Sequence, residues 1–262
     1  FPKTSPAALA EAHFLLGRAA FDQGDFQSSI SHMSEAKTLD PQKYGEQVNV
    51  LTVLSYHKLQ DVNKLKETLE TLQKENPAAV SRVPDVIPAW LGLQAYGMKD
   101  LETADKYMTW ATQNDQLQNV KKVIWRNLAK VRLALKKYDR ALVASNNFLK
   151  VEDQPYRRAD GMLDKASILL GLGKYAEARK TAEEALALGV EGPLMASLKI
   201  VLGDISYAEK KFDEAAKHYG VTAELFVNDA ELKPKALFKA AEALDKAGRK
   251  SEASQYLSLI HI

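Results

Sequence analysis

Few residues in this chain could do chemistry, and their spacing speaks against it. The five histidines, His13, His32, His57, His218 and His261, show no close pairing at metal-ligand spacing. The chain has no cysteine, which excludes disulfides, thiolate metal sites and a cysteine nucleophile. "GLGK" at 171–174 has the look of a phosphate-cradling loop, but it falls between two helical patterns, where a turn is needed. The glutamates of "AEEALAL" lie on a solvated helix face. No catalytic, cofactor or metal site is expected.

The elements behind these residues are helical. Hydrophobic residues make up 46% of the 262 and charged residues 27%, which suits a folded chain rather than a disordered one. Leu, Ala, Lys and Glu dominate, and these side chains lose little rotamer freedom in a helix. The net charge of +2 is too balanced to point to nucleic acid. No stretch approaches the ~18 apolar residues that span a bilayer, so membrane insertion is not expected. "FPKTSP" reads as an internal start. The terminal "LSLIHI" (257–262) departs from the Ala/Glu/Lys style and is what the bases CTGTCTCTTATACACATC, a transposon-end adapter, encode. It is read as a non-native tail on a chain that continues past Tyr256, the alternative being a natural hydrophobic terminus.

The chain repeats itself. "LLGRAAFDQGDFQSSISHMSEA" (15–36) aligns with segments starting at 90, 127, 164, 201 and 239, and a divergent copy starts at 51. Six of the copies share two small residues twelve apart, from Gly17 and Ser29 to Ala241 and Ala253. Between them falls a turn dipeptide: Gly24-Asp25, Lys99-Asp100, Lys136-Lys137, Gly173-Lys174, Lys210-Lys211 or Gly248-Arg249. The pattern predicts two antiparallel helices joined by a tight turn, each offering its small residue to the other. The divergent copy carries Val53 and Leu65 at these positions, so its helices should be spread apart or out of register. Lys165 and Arg132 stand at apolar positions and are expected to extend outward to water.

Leu16-Gly17, Phe21, Gly24-Asp25-Phe26, Ala36 and Asp40-Pro41 closely resemble the tetratricopeptide repeat signature, and the resemblance covers residues 10 to about 257. It implies an all-α, right-handed α-solenoid of antiparallel helix pairs. The array is read as a single domain, with units near 10–45, 46–84, 85–121, 122–158, 159–195, 196–233 and 234–257, starting 36, 39, 37, 37, 37 and 38 residues apart. "NPAAVSRVPDVIP" (76–88), with its three prolines, is expected to be an irregular link and a hinge.

The resemblance also implies that first helices line an inner groove for a protein or peptide partner. The residues it carries there are Phe14, Arg18, Phe21, His57, Tyr96, Arg126, Lys130, Leu133, Leu170, Asp204 and Tyr207, flanked by Val50, Leu54, Ala89, Leu93, Leu163, Ser167, Ile200, Phe238, Glu242 and Asp245. The groove is expected to be basic near Arg126 and Lys130 and acidic toward Asp204, Glu242 and Asp245. The Lys/Asn/Arg clamp with which family members grip a C-terminal carboxylate is missing, with only Asn127 in such a slot. Two functions follow: a non-catalytic interaction scaffold binding a partner's peptide or helix, or a permanent subunit of a bacterial envelope assembly. The last two units resemble those of bacterial periplasmic proteins, which favours the envelope as location.

Overall fold

A computed structural model describes residues 5–113, 118–226 and 228–261. Among them are fourteen α-helices, two 3-10 helices and no strand. The first six α-helices are α1 (Pro6–Asp22), α2 (Phe26–Leu39), α3 (Pro41–Lys58), α4 (Val62–Glu75), α5 (Val86–Gly97) and α6 (Leu101–Ala111). The next four are α7 (Gln118–Ala134), α8 (Tyr138–Val151), α9 (Pro155–Gly171) and α10 (Tyr175–Ala187). The last four are α11 (Gly192–Ala208), α12 (Phe212–Leu225), α13 (Leu232–Lys246) and α14 (Lys250–Ser258). Packing divides the chain at Val120/Lys121 into two compact units, the first built from α1–α6 and the second from α7–α14. Each is an all-α stack of antiparallel helix pairs, the α-solenoid class.

All seven hairpin turns are built alike. A single residue in the left-handed region ends each first helix: Gly24, Gln60, Lys99, Lys136, Gly173, Lys210 and Gly248, with φ between +56° and +82°. Their spacing, 36, 39, 37, 37, 37 and 38 residues, is that of the sequence units, divergent second copy included. At each turn the next amide bonds back to the carbonyl five residues earlier (Asp25 N–H to Ala20 O, 2.9 Å; Lys211 N–H to Ser206 O, 2.8 Å). The left-handed residue's own amide bonds to the carbonyl three residues earlier (Gly24 to Phe21, 3.0 Å; Lys210 to Tyr207, 2.9 Å). This pair of bonds is the Schellman motif, which satisfies carbonyls that a helix end otherwise leaves bare.

"GLGK" is one of these turns, as expected from its position. Asp25, Asp61 and Asp100 then cap the second helix by accepting from the amides of Ser28, Lys64 and Thr103. At the four later turns the capping position holds Lys137, Lys174, Lys211 or Arg249, and no side chain makes that bond. Lys210 adopts φ +63°, a conformation that costs a residue with a Cβ roughly 1 kcal/mol. Lys210→Gly is therefore expected to raise stability by about 0.5–1 kcal/mol in urea unfolding, after glycine's greater chain entropy is offset.

The hairpin contact differs in one detail from the expected small-to-small pairing. The small residue at position twelve is buried: Ser29, Ala104, Ala141, Ala178 and Ala215 have no solvent exposure. The space left by a first-helix glycine is filled instead by the side chain sixteen residues on, one turn past the small residue. A Cβ on Gly17 would meet Met33, one on Gly92 would meet Met108, and one on Gly203 would meet Tyr219. At two of the three first-helix alanines the residue sixteen on is small: Ala129 is followed by Ser145 and Ala166 by Ala182, all buried, whereas Ala241 is followed by the exposed Leu257. Volume is thus shared across the contacts of the first, third, fourth, fifth and sixth hairpins, as close packing requires. In the divergent pair, Val53 and Leu65 are fully buried with Leu69 and Leu72, so larger side chains fill that contact.

The irregular link expected at 76–88 contains a 3-10 helix, Pro77–Arg82. Ala79, Val83 and Ile87 from this link sit in the core of the first unit with Leu91 and Tyr107. The boundary between compact units falls elsewhere, at 120/121. Arg132 corrects an expectation: it does not extend to water but is buried, and its guanidinium donates to the carbonyl of Arg140 (3.3 Å). Past α14, a 3-10 helix (Leu259–His261) lets Ile260 rest on Ala223, Ala236 and Leu237.

Candidate functional site

First helices carry the candidate residues, and the turns fix their register. Phe21, His57, Tyr96, Leu133, Leu170 and Tyr207 each sit three residues before a left-handed turn residue and lend it their carbonyl. The first six hairpins therefore present one half-buried side chain at the same place, while the seventh has the exposed Asp245 there.

In the first unit these side chains are anchored by aromatic contacts. Phe14 stacks on Tyr44 (centroids 4.8 Å apart), Phe21 meets Phe26 edge-on (5.4 Å) and His57 meets Trp90 edge-on (5.3 Å). Burial, with a smaller contribution from Lys58, holds the His57 imidazole below its ordinary pKa and so favours its neutral form. Arg18 is exposed and Tyr96 half-buried.

In the second unit the candidate charges are tied to one another. Arg126 on α7 forms an ion pair with Asp160 on α9, and Lys130 lies 3.8 Å from Asp164. Asp204 on α11 accepts from Lys239 Nζ on α13 (2.7 Å) and from Tyr219 Oη (2.6 Å). The Tyr207 hydroxyl lies 3.4 Å from Glu242 Oε1, and the Tyr207 ring meets Phe212 edge-on at 5.2 Å. Leu170 packs on the alanine-rich core around Ala166 and Ala182, and Leu133 is half-buried.

The expected basic character near Arg126 and Lys130 is therefore corrected: Asp160 and Asp164 neutralise it. Sequence reasoning missed both aspartates because it equated positions one full repeat apart, which placed Leu163 and Ser167 opposite Arg126 and Lys130. The pairs are offset by 34 or 35 residues, about one helical turn short of the repeat, and that offset in charge was the available signal.

Asp164 is a strongly perturbed group on this face. Burial pushes its carboxyl up to about 6, against the opposing pull of Lys130 and Arg126. Its Oδ2 and the Nε of Arg126 are buried without a hydrogen-bond partner. Beside them, Lys122, Arg126, Asn127, Phe148 and Arg157 help line a cleft of about 280 Å³. Lys122 is occupied by Glu152 (3.1 Å) and Asp153 (3.3 Å), and Asn127 donates to the carbonyl of Val123 (2.9 Å). The candidate carboxylate slot at Asn127 thus has its amide turned to its own helix.

Flanking residues divide by burial. Ala89 and Ile200 are core residues, Val50, Leu54, Leu93, Leu163 and Ser167 are half-buried, and Phe238, Glu242 and Asp245 are exposed. Among the described residues, no three histidine, aspartate or glutamate side chains are grouped to hold a metal ion, and no helix is long and apolar enough to cross a membrane. The histidines do hold one arrangement that sequence spacing hid: His13 and His32, nineteen residues apart, face each other across the first hairpin.

Tetratricopeptide repeat models match residues 10–43 and 163–226. No curated protein matches the sequence. Among solved structures, the apo form of RapI is 15% identical with a TM-score of 0.56, covering 96% of this chain and 75% of its own. A Rap protein complexed with Competence and Sporulation Factor is 13% identical with a TM-score of 0.56 and the same coverage. MamA from Desulfovibrio magneticus RS-1 is 14% identical with a TM-score of 0.53, covering 68% of this chain and 93% of its own. At these identities the likeness speaks for the fold, while the two family matches fall on hairpins whose turns and small-residue contacts are those described above. The chain carries tetratricopeptide repeats over residues 10–43 and 163–226.

Proposed function

We propose that this protein is a non-catalytic interaction scaffold whose first-helix faces bind a peptide or helix of a protein partner. The observation that carries this reading is the register of half-buried side chains, one on each of the first six hairpins: Phe21, His57 and Tyr96 in the first unit, and Leu133, Leu170 and Tyr207 in the second. Such a row offers apolar contacts at regular intervals, and its partial exposure leaves area for a partner to bury. In the second unit, the ion pairs Arg126–Asp160 and Asp204–Lys239 flank the row and hold the first helices in place. A solved Rap protein of similar fold is complexed with Competence and Sporulation Factor, so the architecture accommodates a bound factor.

Tyr96 and Tyr207 are the test. The double variant Tyr96→Ala/Tyr207→Ala is expected to keep its far-UV circular dichroism and to lose, by tenfold or more, the retention of partners that the wild-type chain captures by cross-linking. A folded double variant with an unchanged partner list would remove the first-helix face as the binding surface.

A second reading, permanent incorporation into a larger assembly such as a bacterial envelope complex, is favoured by one feature. Helix α1 exposes Leu9, Leu15 and Leu16, each more than 40% accessible. Co-purification with one partner at fixed stoichiometry, abolished by Leu16→Glu and untouched by the tyrosine changes, would select it.

A further inference from the structure

The first hairpin brings two imidazoles into direct contact. His13 on α1 and His32 on α2 place their Nδ1 atoms 3.1 Å apart, with ring centroids 5.3 Å apart and planes inclined at 45°. The approach is fixed by backbone packing, since a Cβ on Gly17 would lie 3.2 Å from the His32 Cβ. Both side chains are half-buried, so the pair is screened on one side and open to solvent on the other.

Left to itself, the pair makes one weak link: one Nδ1–H donates to the other Nδ1. The same geometry suits a different bridge. Imidazole nitrogens bind zinc-like ions at about 2.0–2.1 Å, so two ligands on one ion stand roughly 2.9 Å apart at a right angle and roughly 3.3 Å apart at the tetrahedral angle. The observed separation lies between these limits without any movement of the helices. Imidazole is a borderline-soft donor that selects zinc, nickel and copper over magnesium or calcium.

We propose that His13 and His32 form a two-imidazole site for a divalent transition-metal ion, with water in its remaining positions, clamping α1 to α2. The ion takes the place of the shared Nδ1 proton, which passes through solvent to Nε2 of the same ring, so that both imidazoles stay neutral and both Nδ1 atoms become ligands. No third histidine, aspartate or glutamate completes a set of three among the described residues, which makes the site an exchangeable one rather than a closed structural centre.

Calorimetric titration of the untagged full chain with nickel(II) or zinc(II) chloride is expected to show one ion bound per chain, with Kd on the order of 10 µM. Because the ion binds the folded pair and not the unfolded chain, 1 mM metal should raise the thermal midpoint by about 5 °C or more, while 1 mM magnesium chloride leaves it unchanged. His13→Gln and His32→Gln, which keep polarity and similar volume, should each abolish both effects, whereas His218→Gln should retain them. Cobalt(II) provides a spectroscopic check: its visible absorption bands should appear with wild type and vanish with either single variant, circular dichroism confirming that the variants fold. Equal binding by His32→Gln and wild type, or no saturable binding below 1 mM, would overturn the site.

Discussion

Gly92→Ala is expected to destabilise the first unit by about 2–3 kcal/mol, even though alanine is the better helix former by about 1 kcal/mol. The added Cβ would stand 2.7 Å from Met108 Cγ and 2.9 Å from the Met108 backbone nitrogen. A methionine side chain can swing away, but a helix backbone cannot, so α5 and α6 would have to separate. Three other glycines calibrate the effect. Gly203→Ala meets the Tyr219 ring at 2.4 Å, and that ring is pinned by its bond to Asp204, so a loss of similar size is expected. Gly17→Ala approaches Met33 at 3.0 Å (Cε) and 3.2 Å (Cγ) and the His32 Cβ at 3.2 Å, with no backbone atom as near, and should be near neutral. Gly45 lies within α3 with nothing in reach of an added Cβ, so Gly45→Ala should gain up to about 1 kcal/mol. Urea unfolding of the four variants checks the order, and a uniform gain across all four would refute the close-packing account of the hairpins.

Asp164→Asn is expected to stabilise the protein at pH 7.5. The carboxyl, raised from 3.8 to about 6 chiefly by burial, carries a penalty for ionising in the fold. A difference of about two pKa units, already net of the attraction from Lys130 and Arg126, corresponds to roughly 3 kcal/mol. The sign is fixed by linkage. Because the folded pKa lies above the unfolded one, the folded state holds the proton more tightly between about pH 4 and 6. The penalty is therefore complete above pH 6 and fades as the pH falls toward 4. Wild type should gain stability from this residue on acidification, and the gap between wild type and Asp164→Asn should shrink between pH 7.5 and pH 5. An equal loss for the variant at both pH values would mean that the Lys130 ion pair outweighs desolvation.

The helical repeat was legible because its signals are local. Each turn is written within a few residues, so even the divergent second hairpin could be placed, and Gln60 takes the same left-handed conformation as the glycines. What crosses between helices was harder to read. Small residues twelve apart marked the right contact but named the wrong neighbour for glycine: the filling side chain lies one turn further, at Met33, Met108 and Tyr219. The charge pairs on the first-helix face link residues 34 or 35 apart, and equating repeats position by position hid Asp160, Asp164 and Lys239. The buried Arg132 was misplaced for a related reason: it donates to a main-chain carbonyl, which no side-chain pattern announces. The His13–His32 contact spans a turn, so no spacing rule drawn from a single helix could reveal it.

The sharing of bulk between Gly92 and Met108, or between Ala166 and Ala182, has a consequence for anyone recombining this array. Its modules are interchangeable only as whole hairpins. Grafting the first helix of the fifth repeat in front of the second helix of the third would drive an alanine methyl into a methionine, and the reciprocal chimera would leave a hole where two methyl groups once touched. Shuffling breakpoints therefore belong in the connections between hairpins and not in the turns, short and regular though those turns are.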